Sequence, residues 1–416
     1  MRAVSPPFLL VRPPAAPPES LAEYRARGGY SQLIELRARG AGADLLDEID
    51  RAGLRGRGGA AFPTARKWRL AAAVSGPDKH VVANGGEHEP GSGKDRFLVE
   101  KYPHTVLDGL LLAALATGAN HGWLYLIEDM HGPLASVERA LAELRASDIG
   151  GDAPLPIIVH RGPPTYVAGE ETAALESIEG RPAKPRKKPP FPGEAGLFGQ
   201  PTTVNNVETL AHAAWIARHG AAAFAAVGTA ESKGTLLFTL GSDVLRPGIH
   251  ELPFGATWRH LIEDRGGGLT DGRRLRAILP AMSCGFVLAE HLDLPIAYET
   301  LRAIGSSPGC GGVRLVDDRT DVVALTLEIA AFFMREQCGQ CPPCRMETNQ
   351  FVHILKAVQA GKGPGYDDKL QKLAEFSKKK GNCSLIEMAA APVLSALRCF
   401  AADFARAAGP AHPQAN

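Results

Sequence analysis

The sequence predicts an α/β domain followed by a small α+β module and a C-terminal helical bundle, on three observations. From Gly53 to about Thr209, glycine turns alternate with short apolar runs and helical stretches. Some 80 residues in the middle hold most of the remaining strand-like runs, and from Asp321 onward the apolar spacing is helical throughout. A chain of 416 residues is long enough for two or three packed domains. With 46 basic against 45 acidic side chains, the net charge of +1 gives no global field to hold a polyanion, which argues against a dedicated nucleic-acid binder. The longest apolar run, around Gly109 to Thr117, falls short of the roughly 20 residues of a membrane span. Pro6, Pro7, Pro13, Pro14, Pro17 and Pro18 break up any secretory signal. A cytoplasmic protein without direct membrane insertion, peripheral at most, is the expectation.

Residues 1–50 read as an N-terminal arm or edge helix, with Leu33, Leu36, Leu45, Leu46 and Ile49 spaced for one buried face. Within 51–228, His80 to Ala83, Trp123 to Ile127 and Pro156 to His160 read as strands, and Val106 to Ala116, Ser136 to Arg145 and Val207 to Arg218 as helices. The six prolines between Arg181 and Pro201 make that segment an ordered strap, whose basic run Lys184, Arg186, Lys187 and Lys188 suits a phosphate clamp. Within 229–320, Thr235 to Leu240, Ile249 to Leu252, Leu275 to Leu279 and Val313 to Val316 read as strands. A helix from Thr257 to Arg265 is stopped by Gly266, Gly267 and Gly268. Within 321–416, stripes run through Phe351, Ile354, Leu355 and Val358, through Leu370, Leu373 and Phe376, and through Val393, Leu394, Leu397, Phe400 and Phe404.

Seven cysteines, an odd count with five gathered in the last fifth, disfavour a disulfide framework. Cys338, Cys341 and Cys344 stand at two-residue intervals, with Cys383 further along. Three thiols on one turn and a fourth from a distant element suit a cubane [4Fe–4S] cluster, while zinc remains a rival for the same donors. Cys284, Cys310 and Cys399 read as small buried hydrophobes. A second signal, Gly53 to Thr64 followed by Lys67 and Trp68, clusters glycines with arginines as a phosphate site would. Three further clusters stand at strand or helix ends, where an α/β fold builds ligand sites: Asn84 to Gly91, Tyr166 to Thr172 and Thr203 to Thr209, the last opening a helix.

These four segments and the cysteine set, in this order, resemble the NADH-binding flavoprotein (F-type) component of respiratory complex I and the diaphorase subunits of NAD-linked formate dehydrogenases and hydrogenases. The likeness runs from about Leu45 to Phe404. It implies FMN in the first domain, NADH stacked on the flavin, a β-grasp module in the middle and a [4Fe–4S] cluster on the bundle. By matching motif, Gly56, Arg57, Gly58, Gly59, Ala60 and Lys67 would line the FMN phosphate and ring. Asn84, Glu87, Tyr166, Gly169, Glu170, Val204, Asn205, Asn206 and Thr209 would contact the flavin as well. Phe62 and Phe191 would sandwich adenine, and Glu89, Glu171 and Lys188 would bind the ribose or pyrophosphate of NADH. Cys338, Cys341, Cys344 and Cys383 match the cluster ligands. Phosphate charge would be met by Arg57, Lys67 and Lys188, and hydride transfer needs no acid or base from the protein.

The implied partners are a small [2Fe–2S] thioredoxin-like subunit and a larger iron–sulfur or dehydrogenase subunit. The chain departs from the respiratory pattern at Gly86 (usually Asp), His88 (Ser) and Ala168 (Cys), and over Gly162 to Thr165. Three readings are open at this point: an NADH dehydrogenase subunit, a soluble diaphorase, and a metal-binding scaffold with a decayed flavin site.

Overall fold

Apolar β-branched runs too short for helices form a four-stranded sheet: β1 (His80–Asn84), β2 (His121–Ile127), β3 (Ile157–Gly162) and β4 (Thr202–Asn206). The computed structural model describes residues 7–76, 78–151 and 154–409, so residues 1–6 of the Pro-rich lead and the end of the 321–416 segment lie outside it. The sheet is wholly parallel, in the order β3-β2-β1-β4. β4 occupies residues expected only to open a helix. Thr202, Thr203 and Val204 are β-branched and buried, but five residues squeezed between Pro201 and a helix cap leave little period to detect.

β2 and β3 lie on one side of β1 and β4 on the other, so the winding reverses between β1 and β4. Parallel sheets bind ligands beyond the carboxyl ends of their strands at such a switch point, which here is bounded by Asn84 and Asn206. One face is covered by helices Pro103–Thr117 and Val207–His219, the other by Glu171–Ile178.

The N-terminal segment is part of this core, beyond the edge helix expected for it. Tyr24, Tyr30, Leu33 and Ile49 are buried with the sheet, and Phe8 stacks on Trp215 with ring centroids 3.9 Å apart. The Glu251 carboxylate accepts the amides of Phe8, Leu9 and Leu10, each at 2.9 Å, and the Thr235 hydroxyl at 2.6 Å.

Glu251 belongs to a second, mixed sheet. Its strands are β5 (Thr235–Leu240), β6 (Gly248–Pro253), β7 (Leu275–Leu279), β8 (Val287–Leu288) and β9 (Gly312–Asp317), ordered β6-β5-β9-β7-β8 with β5 and β9 parallel. The helix expected over Thr257 to Arg265 is present as a helical turn from Trp258 that widens to π-type bonding over His260–Arg265.

Helices Val322–Glu336, Pro342–Gln359, Tyr366–Ser377, Leu385–Cys399 and Ala401–Ala408 pack into the bundle. Phe351, Leu355, Val358, Val393 and Phe404 are buried in it together with Ala277 and Phe286 of the second sheet unit. Phe376 departs from its expected stripe: it is 57% exposed, because Leu370 and Ala374 carry the buried face of that short helix. Among the described residues no single helix is long and apolar enough to cross a membrane, and the apolar pair Leu385–Cys399 and Ala401–Ala408 is bent by 89°.

A carboxylate that holds three consecutive amides is hard to replace. Glu251→Ala should destabilise the fold by roughly 2–4 kcal/mol, since charge-assisted bonds are worth more than neutral ones and their loss leaves buried donors unpaired. Urea unfolding measures the loss, and hydrogen exchange should show it as faster exchange at Phe8 to Leu10.

Candidate functional site

Three helix N-termini open on the crevice at the switch point, and the side chains expected there cap them. Glu87 accepts the Ser92 hydroxyl (2.5 Å) and the amides of Asp95 (3.1 Å) and Arg96 (2.9 Å), closing the start of helix Lys94–Lys101. Glu170 accepts the amides of Thr172 (2.8 Å) and Ala173 (3.0 Å) at helix Glu171–Ile178. Asn206 accepts the Glu208 amide (3.0 Å) at helix Val207–His219, and its own amide group donates to Asp95 (2.6 Å). Helix N-termini carry partial positive charge, which at the first two is met by the Glu87 and Glu170 carboxylates.

Two cations stand in the same crevice. Lys67 donates to Glu171 (2.9 Å) and to the Val204 carbonyl (3.0 Å), and Lys188 lies 2.8 Å from both Glu170 and Glu171. Burial opposes the charge on Glu171, but the two lysines outweigh it and hold its carboxyl down at about 2. Phe62 and Phe191 remain 40% and 52% exposed, as side chains awaiting a planar partner would.

The residues present fit a flavin nucleotide on three counts. The side-chain amide of Asn205, the hydroxyl of Thr203 and Nε2 of His88 are buried with no hydrogen-bond partner. Asn84 donates to the Gly169 carbonyl (3.0 Å) and accepts the Gly86 amide (3.0 Å), which holds two crevice loops together. A Cβ on Gly169 would stand 2.9 Å from the His88 ring, and one on Gly58 would stand 3.3 Å from Asn206, so side chains there would fill the cradle. Gly59 has a φ of +105° that L side chains rarely adopt.

Arg57 also has a structural part that the sequence does not display. Its buried guanidinium donates to the carbonyls of Thr235 (2.9 Å), Arg55 (2.9 Å) and Lys233 (2.7 Å) and lies 4.9 Å from the Phe254 ring centroid. Its amide donates to the Thr209 hydroxyl (2.9 Å). Arg57 therefore ties the glycine loop to the second sheet through three of its five N–H donors; a run of backbone acceptors in the apposed strand holds it there. The Thr209 hydroxyl is the acceptor in the amide contact. The basic run of the strap divides likewise. Arg186 is bound by Glu176, by Glu179 (2.8 Å) and by the Gly196 carbonyl (2.7 Å), Lys184 and Lys187 are exposed, and only Lys188 reaches the crevice. Glu89 is half-enclosed beneath the crevice, accepting the Met282 amide (2.5 Å) and the Tyr166 hydroxyl (3.0 Å). Burial pushes its carboxyl up to about 7.

The departure at Gly86 has a steric cause. A Cβ there would stand 2.8 Å from the Tyr125 ring, so this crevice has no room for the acidic side chain usual in the resembled family. Burial lowers the pKa of His88 to about 4, leaving a neutral imidazole against Gly169.

Sequence reading missed a buried triad under the crevice. The Lys94 ammonium lies 2.6 Å from Asp95 and 2.8 Å from Glu208, and Glu208 also accepts the Leu237 amide (2.9 Å) of β5. Burial opposes the Lys94 charge, yet the two carboxylates raise its pKa. The available signal was a lone Glu208 within the apolar run Val207 to Ala214.

Cys338, Cys341, Cys344 and Cys383 line one cavity together with Val167. Cys341 caps helix Pro342–Gln359, Cys344 sits in its first turn, and Cys383 precedes helix Leu385–Cys399. The Asn382 amide donates to the Cys341 sulfur (3.2 Å). Burial and then the three neighbouring thiols push Cys344 up to about 12, and burial with Glu170 and two of the thiols pushes Cys383 up to about 11. Four converging thiols resist ionising together unless cationic metal compensates them. Among the described residues no three His, Cys, Asp or Glu donors close on a single metal position, and the four sulfurs border one cavity.

Crevice and cavity share a wall. Tyr166 donates its amide to Glu336 of the bundle (2.9 Å) and packs edge-on against Phe332 and Phe333, Val167 lines the cysteine cavity, and Glu170 and Glu171 face Lys188.

Comparison with known proteins agrees with this arrangement. Residues 49–215 match the family described as Nuo51 FMN-binding domain, and residues 324–407 match the NADH-ubiquinone oxidoreductase-F iron-sulfur binding region. The second F-type chain of NADH-quinone oxidoreductase from Rhizobium meliloti (strain 1021) is 37% identical over 392 residues, covering 92% of this chain and 93% of its own. The F-type chain of the same enzyme from Escherichia coli (strain K12) is 36% identical, covering 93% of this chain and 89% of its own. The HndC chain of the NADP-reducing hydrogenase of Solidesulfovibrio fructosivorans is 35% identical, covering 93% and 80%. A crystal structure of NAD+-reducing [NiFe]-hydrogenase in the H2-reduced state superposes with a TM-score of 0.81 at 34% identity; it covers 88% of this chain, which spans 63% of that one.

Glu89 gives a pH test. Its native pKa of about 7 lies above the ordinary 4.5, so the folded state holds the proton more tightly and this contribution to stability is lost as pH rises from about 4.5 through 7. Glu89→Gln should remove that decline, and urea midpoints across pH 5 to 8 should be flatter for the variant than for the parent.

Proposed function

This chain belongs to the family of F-type chains of NADH–quinone oxidoreductase, and from that premise we propose that it is the electron-input flavoprotein of a larger complex, oxidising NADH and passing electrons singly through its own cluster. It is an oxidoreductase subunit with an FMN-binding region and an iron–sulfur region. The observation that carries the reading is the shared wall, in which Tyr166 to Glu171 faces the nucleotide crevice on one side and the four cysteines on the other. FMN, when bound, supplies the conversion between a two-electron donor and a one-electron acceptor.

The residues' parts follow from where they stand. The amides of Gly58, Gly59 and Ala60 with Lys67 would hold the flavin phosphate, and Asn84, Asn205 and Asn206 would orient the ring and side chain through amide groups at the strand ends. Phe62 and Phe191 would grip the adenine of NADH, with Lys188 meeting its pyrophosphate and Glu171 its ribose. Glu89 and Glu87 act from beneath, Glu89 by fixing Tyr166 and Glu87 by fixing the helix that carries Lys94. Water exclusion and placement, not proton transfer, are the protein's work in the hydride step.

The segments 51–228, 229–320 and 321–416 are read as the FMN- and NADH-binding domain, a β-grasp module and the cluster bundle. The order β6-β5-β9-β7-β8, with a parallel central pair, supports the middle assignment. Cys338, Cys341, Cys344 and Cys383 would ligate a [4Fe–4S] cluster. The partners fitting this role are a small [2Fe–2S] thioredoxin-like subunit and a larger iron–sulfur or dehydrogenase subunit. Likeness to HndC and to the NAD+-reducing hydrogenase supports a soluble diaphorase as the second setting.

Anaerobic addition of NADH to the reconstituted protein should bleach the flavin absorbance and produce a reduced-cluster EPR signal. Cys383→Ser should keep the bleaching and lose the signal. Parent protein whose visible spectrum NADH leaves unchanged would overturn the assignment.

A further inference from the structure

The second sheet unit and the bundle meet along a seam that holds a cleft of about 540 Å³. Close packing joins the two units beside it. The Phe286 amide donates to the Ser395 hydroxyl (2.9 Å), the Ser306 hydroxyl donates to the Gly285 carbonyl (2.6 Å), and a Cβ on Gly285 would overlap the Gly305 carbonyl. Phe286, Leu288 and Ile304 give the cleft an apolar lining, and His291, Arg302 and Arg398 give it a polar one.

The two arginines come from different units. Arg302 stands in the last turn of helix Tyr298–Ala303, and Arg398 in the last turn of helix Leu385–Cys399. The turn after the first helix brings them together: the Gly305 amide donates to the Arg302 carbonyl (3.0 Å), and a Cβ on Gly305 would stand 2.9 Å from the Arg398 guanidinium. Gly305, with a φ of +75°, is the residue type that lets the guanidinium lie against that turn. Among the described residues neither guanidinium makes a hydrogen bond or an ion pair, and both are exposed. Arg276, another arginine that crosses the seam, is bound by contrast to Asp403 (2.7 Å). Glu290 lies 3.8 Å from His291 in a contact open to solvent and pairs with neither arginine of the cleft.

We propose that this cleft is a binding site for a small organic phosphate monoester, its dianion held by Arg302 and Arg398 and its carbon skeleton against Phe286, Leu288 and Ile304. The volume lies within the roughly 300–1,000 Å³ of small-molecule sites, which combine apolar walls with a few placed polar groups. Two unpaired like charges on one cleft repel each other and leave a positive potential that a dianion cancels and a monoanion only halves. A carboxylate offers two oxygens in one plane, enough for one guanidinium fork. The three terminal oxygens of a phosphate monoester are not coplanar with one fork, so forks from two elements can share them, with the His291 ring as a further donor. No residue of the cysteine cavity or of the nucleotide crevice lines this cleft, so the site is additional to both. Its ligand would tie the second sheet unit to the bundle.

The test uses the full reconstituted chain, its cofactor sites filled, with phenyl phosphate as probe at about pH 7.5, where a monoester with a second pKa of about 6 is a dianion. Calorimetry is expected to find one saturable site in the parent, at least about tenfold weaker in Arg302→Gln and in Arg398→Gln and lost in the double variant. Both side chains are exposed and unpaired, so the variants should unfold at the parent's thermal midpoint, and phenyl phosphate should raise that midpoint in the parent and not in the double variant. Inorganic phosphate, which lacks the apolar body, and benzoate, a monoanion, should each bind at least about tenfold more weakly than phenyl phosphate. An absence of saturable binding to the parent, or equal binding by parent and double variant, overturns the site. Inorganic phosphate or benzoate binding as tightly as phenyl phosphate overturns the ligand class. So does a polyglutamate peptide that displaces phenyl phosphate at lower concentration, which would make the cleft a contact for an acidic chain. Flavin bleaching by NADH should be equal in parent and variants; slower bleaching in the variants would put the arginines in the nucleotide site and overturn the separate cleft.

Discussion

The loop from Tyr166 to Glu171 is held from both sides, and the site depends on that clamp. Its first residue gives its amide to Glu336 of the bundle and its hydroxyl to Glu89 beneath the sheet, and its last two residues meet Lys188 of the strap. A segment so short cannot move its nucleotide-facing residues without moving Val167, which lines the cysteine cavity. Electron transfer between a flavin and a cluster requires fixed proximity, which in the proposed function this loop would supply as a thin wall with Ala168 fully enclosed.

Charge is arranged around the wall in compensated groups. Lys67, Lys188, Glu170 and Glu171 form one network, and Lys94, Asp95 and Glu208 form another, more deeply buried. Removing one partner from such a group leaves an uncompensated charge, a larger loss than the pair itself contributes. The second network also crosses a boundary, since Glu208 accepts the Leu237 amide, while Arg57 crosses the same boundary through backbone carbonyls. The glycine loop and the second sheet are thereby held as one body.

Much of this was legible in the residues. The strands β1, β2 and β3, the bundle stripes and the four cysteines follow from period and spacing, which are local properties. β4 was hidden because five residues between a proline and a helix cap carry almost no periodic signal. The role of Arg57 was illegible for a different reason: a guanidinium among glycines reads as a phosphate ligand until the apposed carbonyls of Lys233 and Thr235 are known, and those lie more than 170 residues away. Glu87, Glu170 and Asn206 stand at the crevice, but their work as helix caps depends on backbone amides that no motif displays. The steric exclusion at Gly86 likewise comes from Tyr125 on a neighbouring strand.

The clamp on the shared wall is tested most directly by freeze-quench EPR of the cluster after mixing with NADH, compared between the parent and Glu336→Ala. The account predicts that the variant bleaches its flavin as fast as the parent and reaches the same reduced-cluster signal with dithionite, but reduces the cluster from NADH more slowly. Equal rates of NADH-driven cluster reduction in the two proteins would contradict it.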